Sequence, residues 1–154
     1  FGSYFLYNTA ASGILECKIG AQYGGTVYVT QAHLENLWTQ LSAEFQNDPT
    51  VIAYDIMNEP IDLPAVGGKA PQKFWETISQ SVLDTIRAQE GNGSHKLVII
   101  PGYNTSSVAY WTTYHPKRWV VDRANNYRYE AHHYFGNYAD NSYSDLLAAA
   151  ERES

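Results

Sequence analysis

Apolar positions along the chain fall into two alternating patterns. From Thr30, the residues Leu34, Leu37, Trp38, Leu41 and Phe45 recur at helical spacing. This predicts a helix with Thr30 as N-cap and a core face at those five positions, ended by Asn47-Asp48-Pro49. Val51 to Met57 is instead a short, mostly apolar, β-branched-rich run that stops at Pro60, which predicts a buried strand. A loop from Ile61 to Ala70 follows, with Pro64 and Gly67-Gly68. Pro71 then stands where a helix prefers proline, Phe74, Trp75, Ile78, Val82 and Ile86 supply one apolar face, and Gly91 closes the helix.

Leu97 to Gly102 is the next apolar strand, ended by Pro-Gly. A short helix or turn is expected near Ser106–Tyr114, a third strand over Tyr127–Phe135, and the start of another helix over Asp145–Arg152. Residues 1–29 are rich in Gly, Ser, Thr and Tyr without a period, and they read as a long loop with a short hairpin around Tyr23–Tyr28. Apolar strands alternating with amphipathic helices define an α/β chain of parallel β/α units. No repeat, linker or low-complexity segment divides it, so residues 1–154 read as one domain or a part of one.

Composition narrows the possibilities. At 154 residues the chain can bury a real core but is short for a closed barrel of eight strand–helix units, which takes about 250. Ten basic residues against 16 acidic ones give a formal charge of -6, and no basic run interrupts that balance, which argues against a nucleic-acid partner. No apolar stretch approaches the roughly 18 residues of a membrane span. The sequence opens on Phe1-Gly2-Ser3-Tyr4-Phe5 without an initiator methionine or a leader, as though cut from a longer chain. Cys17 is alone and can form no internal disulfide. Thirteen Tyr and four Trp suit sugar-stacking surfaces, although packing alone accounts for such numbers.

Two places carry candidate chemistry. Asn58 and Glu59 end the first strand, and the C-terminal ends of strands are where a β/α barrel places its reacting groups. Glu59 could equally be a turn glutamate, and Asn58 a cap for the loop that follows. The second place is Glu130-Ala131-His132-His133-Tyr134. On a strand, Glu130, His132 and Tyr134 share one face and Ala131 and His133 the other. The adjacent histidines therefore diverge, and no third residue has sensible ligand spacing, which argues against a metal. Asp55 shares the face of Met57 and Glu59 if the strand is regular, and Asp62 flanks the same site. Asn92-Gly93-Ser94 and Asn104-Thr105-Ser106 match the glycosylation acceptor pattern, which matters only for a protein secreted by a eukaryote.

In their order and spacing these pieces resemble glycoside hydrolase family 5, the cellulase family. Tyr54-Asp55-Ile56-Met57-Asn58-Glu59-Pro60 is similar to the signature that ends strand four of that family's TIM barrel. Leu97–Gly102 resembles strand five, and Tyr129-Glu130-Ala131-His132-His133-Tyr134-Phe135 resembles strand six, where a His-x-Tyr pair lines the cleft. The helix with Leu37-Trp38 and the run Phe45-Gln46-Asn47-Asp48-Pro49 fit the approach to strand four. The resemblance covers nearly all of the chain.

It implies a (β/α)8 TIM barrel present only as a central fragment, about strands four to six. It also implies a secreted, retaining β-glycosidase acting on a polysaccharide such as cellulose, with no cofactor and a monomeric full-length form. A β-mannanase, another β-glucanase, or a non-catalytic carbohydrate-binding relative would fit the same scaffold. Glu59 would be the general acid/base. Asn58 would contact the sugar hydroxyl beside the reacting carbon, and His132 and Tyr134 would orient the nucleophile and the sugar. Tyr103 and Trp111, which follow strand five, are candidates for stacking on sugar rings, ahead of Trp75, which is expected to pack in its helix. The family nucleophile is a Glu ending strand seven, beyond the last residue of this sequence, and Phe1-Gly2-Ser3-Tyr4 resembles the continuation of strand three. Glu130 faces the barrel axis but lies about 6.6 Å deeper than His132 at strand rise, which favours a hydrogen-bonded structural role for it. The isolated segment is expected to be poorly soluble and to hydrolyse negligibly.

Overall fold

The computed structural model describes residues 4–9, 13–93 and 95–133, with side chains from residue 17 onward. Its centre is a parallel three-stranded sheet in the order β5-β6-β7, formed by Ala53–Asp55 (β5), Leu97–Pro101 (β6) and Tyr127–Glu130 (β7). Helix α1 (Gln31–Phe45) precedes β5, and α2 (Pro71–Glu90) connects β5 to β6. A single 3-10 turn (Val108–Tyr110) and the four-residue helix α3 (Trp111–Tyr114) lie between β6 and β7. The alternation expected from the hydrophobic pattern is therefore present as parallel β/α units.

Local chemistry explains the boundaries. At the start of α1 the His33 ring accepts the Thr30 N–H at 3.0 Å, meeting one of the donors a helix leaves open. Pro71 occupies the first turn of α2, and Gly91 ends that helix at φ 63°, a conformation that costs a residue with a side chain. All five expected core positions of α2, Phe74, Trp75, Ile78, Val82 and Ile86, are buried. They pack against Val98 and Ile100 of β6, which are fully buried, and the Trp75 indole donates to the Pro101 carbonyl at 2.7 Å. Trp75 is thus a packing residue.

Several expectations need correction. In α1 only Leu34 and Trp38 of the predicted face are buried, while Leu37 and Phe45 are 42% and 37% exposed. The helix packs chiefly against α2, and it reaches the sheet through Trp38, whose indole donates to the Ile56 carbonyl at 3.1 Å and whose ring meets Tyr54. The strand expected over 51–57 is regular only at Ala53–Asp55, and Ile52 is 83% exposed. The chain continues beside β6 for one more bond, from the Ile56 N–H to the Ile99 carbonyl.

The third strand likewise ends at Glu130, and Phe135 lies outside the described residues, as does the helix expected over 145–152. The long N-terminal loop is replaced by two antiparallel hairpins. Tyr4–Thr9 (β1) pairs with Gly13–Lys18 (β2), and Gln22–Tyr23 (β3) pairs with Thr26–Val27 (β4), the latter where the short hairpin was expected. Alternation within Tyr4–Thr9 and Gly13–Lys18 is weak, so their pairing is not legible from period alone.

Candidate active site

The C-terminal end of the sheet gathers most of the unusual backbone. Glu59 and Asp62, after β5, have φ of 46° and 54°, and Asn104, Thr105 and Ser106, after β6, have φ of 63°, 61° and 57°. Non-glycine residues in this region store strain, which persists only where surrounding bonds impose it. Those bonds are present. The Thr105 N–H donates to the Pro60 carbonyl at 3.2 Å, tying the two loops together. Ser106 is fully buried, accepts the Gly102 N–H at its hydroxyl at 2.8 Å and donates that hydroxyl to the Glu130 carbonyl.

Beyond Glu130 the β7 chain keeps pairing, now with the loop that follows β6. The His132 N–H donates to the Ser106 carbonyl at 2.7 Å, and the Val108 N–H donates to the His132 carbonyl at 3.1 Å. That pairing aims the His132 ring at the end of β5. Its Nδ1 lies 2.9 Å from Glu59 Oε1, and its Nε2 lies 2.9 Å from Glu130 Oε1. One imidazole therefore stands between two carboxyl groups. Burial disfavours the charged ring, but hydrogen bonds and attraction from Glu130 and Glu59 prevail, and the His132 pKa is raised above its ordinary value.

Asp55 lies on the same face of the sheet. Burial and the nearby Glu130 carboxylate raise its pKa, opposed by the Met57 N–H and by His132. The parity expected from strand periodicity is thus correct for Asp55, Glu130 and His132, whereas Glu59 reaches the site through the left-handed turn after β5 rather than along a regular strand. Asn58 is exposed beside Glu59. Among the described residues no group of three or more His, Cys, Asp or Glu side chains is arranged to hold a metal ion. Nor is any helix there long and apolar enough to cross a membrane.

The other expected site residues fare differently. Tyr103 is half-buried, its ring set edge-on to Tyr114 with centroids 5.5 Å apart. Burial and the Asp62 carboxylate raise its phenol pKa, opposed by the backbone N–H groups of Leu63 and Asp62. Trp111 does not offer a stacking face. It is 3% exposed and boxed in by His115, Trp119 and Tyr129, with ring centroids 5.7, 6.1 and 5.7 Å away. Its position after the strand was legible; its burial under the β6 end was not. Tyr134 lies outside the described residues.

One residue that the pattern did not single out shapes this region. His115 is buried, stacks on Trp119 with centroids 4.1 Å apart, and accepts the Tyr103 N–H at Nε2 at 2.8 Å. The proton therefore sits on Nδ1, which faces Glu76 Oε1 at 3.0 Å. Burial lowers the His115 pKa despite that carboxylate, in keeping with a neutral ring that anchors Tyr103. No spacing rule marks a lone histidine after a short helix.

A parallel β/α sheet that brings a carboxyl group and a histidine together at its C-terminal strand ends places them where a β/α barrel holds its active site. The chain belongs to glycoside hydrolase family 5: the family model described as Cellulase (glycosyl hydrolase family 5) matches residues 16–152. The family fold is a (β/α)8 barrel, and β5-β6-β7 with its helices forms part of one.

The chain is similar to Pseudomonas stutzeri endoglucanase Cel5A, solved in complex with cellobiose. The identity is 29% and the TM-score 0.57, over 73% of this chain and 32% of that one. It also resembles the endo-beta-1,4-glucanase Xac0029 from Xanthomonas axonopodis pv. citri, at 25% identity and a TM-score of 0.55, over 72% and 35%. The fold of XacCel5A, solved with cellopentaose, matches at 24% identity and a TM-score of 0.58, over 77% and 36%. The chain thus spans about a third of the length of these solved structures. No curated protein matches it.

Proposed function

We propose that this chain supplies the acid/base half of a retaining β-glycosidase that cleaves β-glucan, in the manner of an endo-β-1,4-glucanase. The observation that carries the reading is the Glu59 carboxyl group, held at the end of β5 in left-handed backbone and met by His132 at 2.9 Å. A retaining glycosidase needs one carboxyl group to protonate the leaving oxygen and a second, about 5–5.5 Å away, to attack the anomeric carbon. Glu59 takes the first role. Once the leaving group departs, the same carboxylate removes a proton from the incoming water.

Glu130 is not the second carboxylate, because a whole imidazole ring separates it from Glu59 and occupies its Oε1. We assign the nucleophile to a Glu on a later strand of the barrel, outside these 154 residues. We assign Asn58, which is exposed, to a sugar hydroxyl beside the reacting carbon, and Tyr103 and Tyr134 to the sugar as well, as the family resemblance implies. Endoglucanase identity among the solved neighbours, one of them holding cellobiose, supports glucan over mannan. A polymeric glucan is met outside the cell, so we place the protein there, working as a monomer without a cofactor.

The test is expression of the polypeptide that carries these residues, with and without Glu59→Gln, on carboxymethyl-cellulose and on mannan. Turnover on cellulose that falls by several orders of magnitude in the variant is the expected result. Turnover on mannan instead would replace the substrate. Binding of either polymer with no turnover would overturn the hydrolase reading in favour of a binding domain.

A further inference from the structure

His132 is unusual in having both ring nitrogens committed to carboxyl oxygens, Glu59 Oε1 at Nδ1 and Glu130 Oε1 at Nε2. The family resemblance assigned Glu59 and His132 to the cleft, while the depth of Glu130 along its strand favoured a hydrogen-bonded structural role for it. The geometry gives Glu130 a narrower task. Among the described residues its side chain makes one hydrogen bond, to His132, and its second oxygen, Oε2, is buried without a partner. The side chain does not brace its own strand. The pairing of β7 beyond Glu130 is done by backbone groups and by the Ser106 hydroxyl, which reaches the Glu130 carbonyl rather than its carboxylate.

A neutral imidazole carries one ring proton, so it can donate to only one of two flanking carboxylates. Which nitrogen keeps that proton decides what Glu59 meets. With the proton on Nε2 and given to Glu130, Nδ1 presents a lone pair, the partner required by a protonated Glu59. With the proton on Nδ1, the ring would instead donate to Glu59 and favour its ionised form, the wrong state for an acid awaiting substrate.

We infer that Glu130 is a positioning residue: its carboxylate accepts the Nε2 proton of His132 and holds the Nδ1 edge of the ring on Glu59. The inference rests on the acid/base role proposed for Glu59. The groups that face the ring from the elements around it are Glu59 after β5, Glu130 on β7 and, more distantly, Asp55 on β5, all acidic. While Glu59 holds its proton, the carboxylates that favour a positive charge on the ring are Glu130 and Asp55, and Glu130 alone bonds to Nε2.

The experiment is nitrogen NMR of the His132 ring, with turnover measured in parallel, in the polypeptide that carries these residues and in its Glu130→Gln and Glu130→Asp variants. In the unaltered protein the neutral ring should carry its proton on Nε2. In Glu130→Gln the ring should titrate at lower pH, kcat should fall roughly 10- to 100-fold with little change in KM, and the pH profile of activity should move with the ring. Glu130→Asp, which keeps the charge, should recover part of both effects.

A neutral ring protonated on Nδ1 would overturn the assignment, as would a Glu130→Gln protein whose ring titration and pH profile are unchanged. If Glu130→Gln does not fold, the tautomer of the unaltered protein decides the matter alone. The ring readouts need no substrate. A protein without turnover would therefore end the hydrolase reading while the tautomer still tested Glu130.

Discussion

Nδ1 of His132 stands 2.9 Å from Oε1 of Glu59, although 73 positions separate the two residues. Parallel topology produces the meeting. β5 and β7 flank β6 and run the same way, so residues just past their C-terminal ends emerge at one mouth. The pairing of His132 with the loop after β6 then brings its ring to the level of Glu59. Removing the ring should leave Glu59 present but poorly oriented. His132→Ala is expected to lower kcat by roughly 100-fold with a small change in KM, since misplacing a catalytic group costs the transition state more than the ground state. Steady-state kinetics on a soluble cellulose derivative reads this directly. An unchanged kcat would remove His132 from the site.

The same ring makes stability depend on pH. Burial alone would lower its pKa, but the Glu130 and Glu59 carboxylates outweigh burial and raise it. A group whose folded pKa is raised binds protons more tightly when folded. Its contribution is fully present below the ordinary histidine pKa and is lost as pH rises through the folded value. The urea midpoint should therefore fall as pH rises from the ordinary histidine pKa of about 6.5 through the raised folded value, and the fall should be smaller in His132→Gln. Equal falls in the two proteins would show that His132 contributes nothing to the slope.

How much of this was legible without coordinates differs from residue to residue. The α2 face and its two ends followed from period, Pro71 and Gly91, because a long amphipathic helix states its pattern many times over. The meeting of Glu59 and His132 was legible from their shared place at the C-terminal ends of parallel strands and from the family resemblance. Trp111 was misjudged because a position after a strand gives no sign of which way the ring turns, and three aromatic neighbours further along the chain enclose it. The short hairpin at Gln22–Val27 followed from its Gly-Gly turn, but the β1–β2 hairpin was missed because antiparallel pairing depends on register between segments, which a composition of Gly, Ser, Thr and Tyr does not set.

At the opposite end of the sheet, Arg87 and Asp122 form a buried pair. Their side chains are 3% and 0% exposed, and two parallel 2.9 Å bonds join Nε and Nη2 of the guanidinium to Oδ1 and Oδ2. The Ala124 and Asn126 N–H groups also donate to Asp122. Burial pushes the Asp122 pKa up, but Arg87 and those backbone donors prevail and hold it at about 2, below the usual 3.8. Its contribution is therefore present above the ordinary carboxylate pKa and is lost as pH falls through about 2. Asp122→Ala leaves the guanidinium buried with Glu90 as its remaining carboxylate partner, and should cost about 3–5 kcal/mol by urea denaturation at neutral pH. A loss within a few tenths of a kcal/mol would show that the pair is relaxed or hydrated.

Gly102 is where the β6 end and the aromatic cluster come closest. A Cβ there would sit 2.6 Å from Trp111 Cζ3 and 3.0 Å from Cε3, well inside contact distance. Trp111 cannot yield easily, because His115, Trp119 and Tyr129 pack around it. The backbone cannot yield either without disturbing the bond from the Gly102 N–H to the Ser106 hydroxyl, on which the left-handed turn at Asn104–Ser106 depends. Gly102→Ala should therefore destabilise the protein by about 1–3 kcal/mol, the usual cost of overpacking. Because Ser106 also reaches the Glu130 carbonyl, the damage should spread to the site. The variant is expected to lose activity at temperatures where it remains folded by circular dichroism. Full activity in a destabilised Gly102→Ala protein would separate the aromatic cluster from the geometry of Glu59 and His132.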